Sequence, residues 1–134
     1  MSYKVMVVDD ELDIVEFVKL VLEEADYRVI TAITGEEALR KAQIEKPNLI
    51  LLDIMMPEMD GWEVLKILKI DENTSQIPVA MLTARTEAKD RLMALQEEAI
   101  DYICKPFSPK ELIERVETIF AQVGKRPSKP RTSS

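Results

Sequence analysis

The sequence predicts an α/β domain, an open, doubly wound parallel sheet of five strands with five helices. Five short apolar runs, rich in β-branched residues, alternate with segments whose apolar residues recur every three or four positions. Parallel strands need helical returns, so each run and the helix that follows it form one βα unit. The length of 134 residues fits a single domain of this kind with one packed core.

The five predicted strands are continuously apolar, as is typical of a sheet covered by helices on both faces. They are Val5–Val8, Val29–Ile30, Leu49–Leu52, Val79–Leu82 and Tyr102–Cys104. Pro78 opens the fourth strand, at the position where a missing backbone donor is tolerated. Ligands of such sheets bind beyond the carboxyl ends of the strands, so the residues after each run are the first candidates for function.

Periodicity and capping signals predict the first three helices. Thr34 and Glu37 have the spacing of a capping box for the second helix, which Pro47 ends, and Asp60 can cap the third. The predicted core-facing residues are Ile14, Phe17, Val18, Val21, Leu22 and Ala25 in the first helix, Ala38, Leu39 and Ala42 in the second, and Val64, Leu65 and Leu68 in the third.

The last two helices are predicted in the same way. Thr83 or a neighbouring residue starts the fourth helix, and Ser108, followed by Pro109 and Glu111, has the capping-box pattern for the fifth. The predicted core-facing residues are Leu92 and Leu95 in the fourth helix and Leu112, Ile113, Val116, Ile119, Phe120 and Val123 in the fifth.

Composition excludes several classes of function. Lys and Arg total 18 against 25 Asp and Glu, a formal charge of −7, which is unlike the basic footprint of a nucleic-acid-binding domain. The chain has no His, so imidazole catalysis, Ser/His/Asp triads and His-ligated zinc or haem are excluded. A single cysteine, Cys104, and the lack of a signal peptide or an apolar span predict a cytoplasmic protein without membrane contact.

Residues 124–134 differ in composition from the rest of the chain. They read GKRPSKPRTSS, with four basic residues and no acidic one, and predict a basic, Pro- and Ser-rich linker or disordered tail after a domain at residues 1–123. Without those four cations, 14 basic residues face 25 acidic ones, a formal charge of −11 for the domain. The tail is too short for an output module.

Polar residues follow four of the five apolar runs. Asp9 and Asp10 follow the first run, Asp53 the third, Thr83 the fourth and Lys105 the fifth. Each Asp alone is an ordinary turn or capping residue. Three carboxylates at the ends of neighbouring strands would repel one another unless a cation neutralised them. Mg²⁺ prefers oxygen ligands and pairs with phosphate oxygens, so the set indicates a site for a divalent metal and a phosphoryl group.

Four segments of the chain resemble the receiver domain of bacterial two-component response regulators. They are VMVVDDE at 5–11, LILLDIMMPEMDGWEVL at 49–65, PVAMLTA at 78–84 and DYICKPFSPKEL at 101–112. Each segment alone is a weak signal, but all four in this order, 30 residues from Asp53 to Thr83 and 22 from Thr83 to Lys105, are highly specific. The resemblance implies a flavodoxin-like fold with strand order 2-1-3-4-5.

The resemblance also implies a role for each polar residue. Asp53 would accept a phosphoryl group from a phosphohistidine of a histidine kinase or a histidine phosphotransfer protein. Asp10, Asp53 and the main-chain carbonyl of Met55 would bind Mg²⁺ directly, and Asp9 would act largely through water. Thr83 and Lys105 would bind the phosphoryl oxygens. The chain would then be a signalling switch that catalyses only its own phosphorylation and dephosphorylation.

Output would follow from a change of surface. By resemblance, Tyr102 turns inward as Thr83 moves towards the phosphoryl group, and this exposes a surface for a downstream protein target or for a homodimer that forms on phosphorylation. Direct contact with nucleic acid by this domain is not expected. The Lys105–Pro106 peptide bond is expected to be cis.

Three features depart from the family or vary within it. The family usually has Gly at the position of Glu98, where a helix ends in a left-handed turn, and often an acid at that of Ile100. Without glycine, either the turn is kept at a cost of order 1 kcal/mol or the turn is rebuilt. Met55 and Arg85 lie two residues beyond Asp53 and Thr83. Two long side chains there are expected to flank the path of the attacking water and slow self-dephosphorylation.

Other functions leave different signatures. A haloacid-dehalogenase-type phosphohydrolase also uses an Asp at a strand end, but it needs a second Asp at the position of Met55. A flavin carrier needs a Ser/Thr/Gly-rich loop where this chain has Asp9 and Asp10. A degenerate receiver serving only as a binding scaffold would lack part of the polar set, which is complete here.

Overall fold

Strands and helices alternate through five βα units in the computed structural model, which describes residues 3–84 and 87–125. Arg85 and residues 126–134 of the predicted tail lie outside the described residues, whereas the first two residues of that tail, Gly124 and Lys125, are the last residues of α5. The elements are β1 (Lys4–Val8), α1 (Leu12–Glu24), β2 (Arg28–Ala32), α2 (Gly35–Glu45), β3 (Leu49–Leu52), α3 (Gly61–Ile70), β4 (Val79–Thr83), α4 (Ala88–Gln96), β5 (Asp101–Cys104) and α5 (Pro109–Lys125).

The five strands form one parallel sheet in the order β2-β1-β3-β4-β5. This confirms the predicted fold class and strand order. The register pairs Val8 with Leu52 and Thr83 with Cys104. The residues that follow these ends therefore emerge together at the carboxyl edge of the sheet, beside the switch point between β1 and β3.

Alternating strand residues build an apolar core on each face of the sheet. Buried strand residues on the face towards α2, α3 and α4 are Met6, Val8, Ala32, Ile50, Leu52, Val79, Met81 and Tyr102. Strand residues on the face towards α1 and α5 are Val5, Val7, Leu49, Leu51, Ala80, Leu82 and Ile103. Among the described helices, none is long and apolar enough to cross a membrane.

Two helices begin with capping boxes, one predicted at Ser108 and one at Asp60, which the sequence predicted only as a cap. The Asp60 carboxylate accepts from the Glu63 amide at 3.0 Å, and the Glu63 carboxylate accepts in return from the Asp60 amide. Ser108 and Glu111 exchange the same two bonds, both at 3.0 Å. Each box satisfies two amides that the first turn of a helix would otherwise leave unpaired.

The start of α2 forms only half of the predicted box. The Thr34 hydroxyl accepts from the Glu37 amide at 3.0 Å, as predicted. The Glu37 carboxylate, however, accepts from the Ile33 amide at 2.8 Å, one residue before the cap, and also pairs with Lys41 at 2.9 Å. The helix ends at Glu45, before Pro47.

The core-facing stripe of α1 is shifted from the predicted one. Val15, Val18, Val21 and Leu22 are its buried residues, and Ile14 packs beside them. Phe17 is 37% exposed, and its ring lies 6.0 Å from the ring of Phe107. Phe17 therefore covers the loop between β5 and α5 rather than the sheet.

The prediction for the fourth helix is wrong at both its start and its stripe. Thr83 is the last residue of β4, where a β-branched side chain suits the strand, and α4 begins at Ala88. Leu92 and Leu95 are 54% and 73% exposed. The small side chain of Ala94 packs on the core instead, so the larger apolar residues of α4 face outwards.

Two backbone features agree with the expectations from the sequence. Glu98 has φ 69°, so the left-handed turn after α4 is kept without glycine. The Lys105–Pro106 peptide bond is cis.

A cationic side chain caps a carbonyl on each edge strand of the sheet. On β2, the Lys41 ammonium donates to the Thr31 carbonyl at 2.6 Å. On β5, the Arg115 guanidinium donates to the Tyr102 carbonyl at 3.1 Å and holds the Asp101 carboxylate through two further bonds of 2.6 and 2.9 Å. Such contacts satisfy acceptors that an edge strand leaves without a neighbouring strand.

Candidate functional site

Three carboxylates meet at the carboxyl edge of the sheet. Asp9 and Asp10 follow β1, and Asp53 follows β3, the adjacent strand. Each offers an oxygen within 4.8 Å of those of the other two; Asp9 and Asp53 are buried and Asp10 is exposed. Hard oxygen donors so close together are a suitable ligand set for Mg²⁺, which neutralises their mutual repulsion.

Lys105 brings the counter-charge to this cluster from the end of β5. Its Nζ lies 2.7 Å from Asp9 Oδ2, 3.4 Å from Glu11 Oε1 and 3.9 Å from Asp53 Oδ2. Burial alone would lower the pKa of Lys105, but the hydrogen bond to Asp9 and the nearby carboxylates raise it above its ordinary value. Lys105 is therefore a fixed cation near neutral pH.

Both oxygens of the Asp9 carboxylate already accept hydrogen bonds from other residues of the domain. Oδ2 accepts from Lys105, and Oδ1 accepts from the Glu11 amide at 2.9 Å. Asp9 has no exposed surface. Of the three carboxylates, Asp10 and Asp53 are thus the ones better able to contact a metal directly, while Asp9 holds Lys105 and the start of α1.

Asp53 is the carboxylate with the most strongly perturbed environment. Burial, followed by the charge of Asp9, raises its pKa to about 6, although Lys105 and a hydrogen bond from the Met55 amide act in the opposite direction. Among the residues that the structure describes, Lys105 is the one cation beside these three carboxylates, so Asp53 is short of compensating charge. The site therefore favours a further cation beside Asp53.

Gly61 fixes the backbone of Asp53 against the first turn of α3. The Gly61 amide donates to the Ile54 carbonyl at 2.8 Å. A Cβ at this position would lie 2.3 Å from the Asp53 carbonyl oxygen and 2.8 Å from Ile54 Cα. This close approach, which only glycine permits, is visible in the structure alone.

Met55 lies in the loop beyond Asp53, where its side chain is 59% exposed. Its backbone amide is the one that bonds the Asp53 carboxylate. Arg85, which the sequence pairs with Met55 beside the water path, is outside the described residues.

Thr83 and Tyr102 occupy the neighbouring strands β4 and β5. Thr83 is fully buried, and its carbonyl accepts from the Lys105 amide at 2.8 Å. Tyr102 is 7% exposed, and the Arg91 guanidinium of α4 lies 5.2 Å from the centre of its ring. Arg91 also donates to Cys104 Sγ at 2.9 Å, so one side chain ties α4 to β5 at two points.

The structure brings Asp9, Asp10, Asp53 and Lys105 together at this edge, with Thr83 at the end of β4 and Met55 in the loop after Asp53. Tyr102 lies within β5, and two further residues, Glu11 and Arg91, contact this region. The sequence places Glu11 directly after two candidate ligands, Asp9 and Asp10, and its contact with Lys105 appears only in the structure. Arg91 carried no signal, because its contacts depend on how α4 lies beside β5.

Comparison with known proteins gives a consistent result. The family model for the response regulator receiver domain matches residues 5–117. The alkaline phosphatase synthesis transcriptional regulatory protein PhoP of Bacillus subtilis is 49% identical over 119 residues, which are 89% of this chain and 49% of that protein. The phosphate regulon transcriptional regulatory protein PhoB of Escherichia coli is 42% identical over 123 residues, 92% of this chain and 54% of that protein.

Solved structures agree with these sequence matches. The chemotaxis protein CheY4 of Vibrio cholerae matches with a TM-score of 0.85 and 33% identity, over 89% of this chain and 99% of that one. The chain spans about half the length of the curated relatives that it matches.

Proposed function

The chain belongs to the response regulator receiver domain family, and we propose that its Asp53 accepts a phosphoryl group from a phosphohistidine of a partner protein. The observation that carries this proposal is the environment of Asp53, a buried carboxylate with its pKa raised to about 6 beside the fixed cation Lys105. A carboxylate whose pKa is raised is more basic than an exposed one, and this makes it a better nucleophile towards phosphorus. The donor would be a histidine kinase or a histidine phosphotransfer protein, because this chain has no His of its own.

The donor set also fits Mg²⁺ as the cofactor. Asp10, Asp53 and the main-chain carbonyl of Met55 would hold the ion, and Asp9 would act largely through water, in keeping with the engagement of both its oxygens. When bound, Mg²⁺ supplies positive charge for the oxygens of the transferring group.

The chain's own residues account for the remaining parts of the transfer. An Asp53 carboxylate oxygen attacks the phosphorus in line, so that a P–O bond forms while the P–N bond to the donor imidazole breaks and its electron pair returns to the ring nitrogen. Lys105 Nζ, already 3.9 Å from Asp53 Oδ2, can then bond a phosphoryl oxygen. The Thr83 hydroxyl, from the end of β4, would donate to another.

The acyl phosphate would act as a switch rather than as an enzyme intermediate for other substrates. Movement of Thr83 towards the phosphoryl group would change the space beside Tyr102, which Arg91 links to α4. That local change biases the domain towards an active surface on α4, β5 and α5. The surface would bind a downstream protein or a second copy of the domain.

The likeness to the curated relatives suggests what kind of output this domain controls. Both relatives are named as transcriptional regulatory proteins. We propose that this domain controls such an output in the cytoplasm through protein contacts and not through nucleic acid, because its formal charge of −7 disfavours a phosphate backbone.

Incubation with Mg²⁺ and acetyl phosphate tests the assignment. Intact-protein mass spectrometry should show the gain of one phosphoryl group in the wild type and in Asp13→Asn, an exposed control on α1. Asp53→Asn should show none. Persistence of the mass gain in Asp53→Asn would overturn the assignment of Asp53.

A further inference from the structure

Glu11 places an exposed negative charge at the mouth of the site. Its side chain is 65% exposed, and its Oε1 lies 3.4 Å from Lys105 Nζ. Asp53 Oδ2 lies 3.9 Å from the same nitrogen. The two carboxylates are therefore no more than about 7 Å apart, with Glu11 on the solvent side.

The position of the Glu11 carboxylate is not explained by the stability of α1. Glu11 is the N-cap residue, yet among the described residues its side chain caps no helix amide. Its own amide is bonded to Asp9 Oδ1. The backbone of Glu11 thus serves the helix start, while its carboxylate points back to Lys105.

Lys105 does not depend on Glu11 for its anchorage either. The fully buried Asp9 holds Lys105 Nζ at 2.7 Å, a shorter and better shielded contact than the one to Glu11. Removing the charge of Glu11 would leave Lys105 in place. The main effect of that charge therefore falls on a group that approaches Asp53 from solvent.

Resting on the proposed function, we propose that Glu11 is a specificity-determining residue that selects phosphodonors by charge, disfavouring free dianionic donors relative to monoanionic ones. At about 7 Å, within one Debye length at physiological salt, an exposed carboxylate repels an incoming anion in proportion to the anion's charge. A small dianion is penalised twice as strongly as a monoanion. A protein donor can offset the same charge with a cation of its own surface.

Two small donors of different charge test this selection. Near neutral pH, acetyl phosphate is chiefly a dianion and phosphoramidate chiefly a monoanion. Rate constants for both would be measured at low salt and saturating Mg²⁺, with the Mg²⁺ affinity of each variant determined by calorimetry. The set comprises the wild type, Glu11→Gln, Glu11→Lys, the charge-conserving Glu11→Asp, and Glu16→Gln, which removes an equal charge from an exposed position on α1.

The measured quantity is the ratio of the acetyl phosphate rate to the phosphoramidate rate. We expect this ratio to rise roughly two- to fourfold in Glu11→Gln, and again in Glu11→Lys, and to stay near the wild-type value in Glu11→Asp and Glu16→Gln. Added NaCl should shrink the differences, because it screens the charge. If Glu11 had only a structural role, its substitution would change both rates by the same factor and leave their ratio unchanged.

Two outcomes overturn the inference, and a different one overturns the proposed function. Equal changes with both donors in Glu11→Gln, or an equal shift of the ratio in Glu16→Gln, show that Glu11 does not select by charge. Failure of the wild type to take a phosphoryl group from either donor, or labelling of Asp53→Asn, refutes the acceptor role itself.

Discussion

Lys105 and Asp9 form a buried ion pair, Nζ to Oδ2 2.7 Å, that joins the end of β5 to the end of β1 although β3 and β4 lie between these strands. The pair holds the only cation of the site within reach of Asp53 among the described residues. It also keeps that cation on Asp9 while Asp53 carries no phosphoryl group. A more negative partner at Asp53 would compete for the same ammonium.

Loss of Lys105 should destabilise the domain and impair its reaction. In Lys105→Met, Asp9 remains buried without its counter-ion, so the free energy of unfolding at pH 7 in EDTA should fall by about 3 kcal/mol. Urea titration measures this change, and the exposed Lys110→Met is the control. Mg²⁺ should restore part of the loss in Lys105→Met, while acetyl phosphate labelling stays slow. A loss below about 1 kcal/mol would show that the pair contributes little.

The raised pKa of Asp53 predicts how stability depends on pH without metal. The pKa is about 6 in the folded state against an ordinary value of 3.8 for an exposed Asp, so the folded state binds more protons between these values. Stability should therefore fall as pH rises through this window. Asp53→Asn removes the effect and should be more stable than wild type at pH 7.5 by on the order of 2 kcal/mol, with no difference near pH 4.

Urea titrations in EDTA across pH 4–8 measure how the free energy of unfolding of the wild type and of Asp53→Asn depends on pH. Mg²⁺ should close most of the gap at pH 7.5, because it binds the wild-type carboxylates. A gap that does not change with pH would mean that packing, and not the charge of Asp53, separates the two proteins.

Because Gly61 lies against the Asp53 carbonyl, we expect position 61 to tolerate no side chain. In Gly61→Ala, the new Cβ would lie 2.3 Å from that oxygen, so the acceptor loop must shift. We expect a loss of about 2 kcal/mol in stability and slower labelling by acetyl phosphate. Gly124→Ala is the matched control, since a Cβ there meets nothing within 4 Å, and it should be neutral or stabilising. If Gly61→Ala were labelled by acetyl phosphate at the wild-type rate, the contact at position 61 would not be needed to place Asp53.

The left-handed turn after α4 predicts a stabilising substitution. Glu98 has φ 69°, which costs a non-glycine residue about 1 kcal/mol, so Glu98→Gly should raise the free energy of unfolding by up to about that amount. Its neighbour Glu97 has φ −88°, where glycine gains nothing, and Glu97→Gly should be neutral or destabilising. Thermal or urea unfolding compares the two. Equal effects of both substitutions would contradict the assigned strain.

Local sequence patterns predicted most of the fold because they reflect local physics. Continuous apolar runs marked the strands of a sheet covered on both faces, and Asp60 and Ser108 marked helix starts that the structure confirms. The strand order came from family resemblance, since pairing is decided over long range. The predicted stripe of α4 failed because burial depends on which face a helix turns to the sheet, and Ala94 takes that face instead of Leu92 or Leu95.

Site residues were predictable where strand ends fixed them. Asp9, Asp53 and Lys105 each follow a strand, so the topology alone brings them together. Glu11 and Gly61 matter through distances of a few ångströms, to Lys105 and to the Asp53 carbonyl, which no spacing in the sequence encodes.

The two cationic caps on the sheet edges restrict how copies of this domain can associate. Lys41 holds the Thr31 carbonyl, and Arg115 holds the Tyr102 carbonyl, so a visiting strand would have to displace a charged side chain before pairing with either edge. Edge-to-edge pairing of sheets is therefore disfavoured. Contacts between copies would then rest on side chains of α4, β5 and α5 rather than on main-chain pairing of the edge strands.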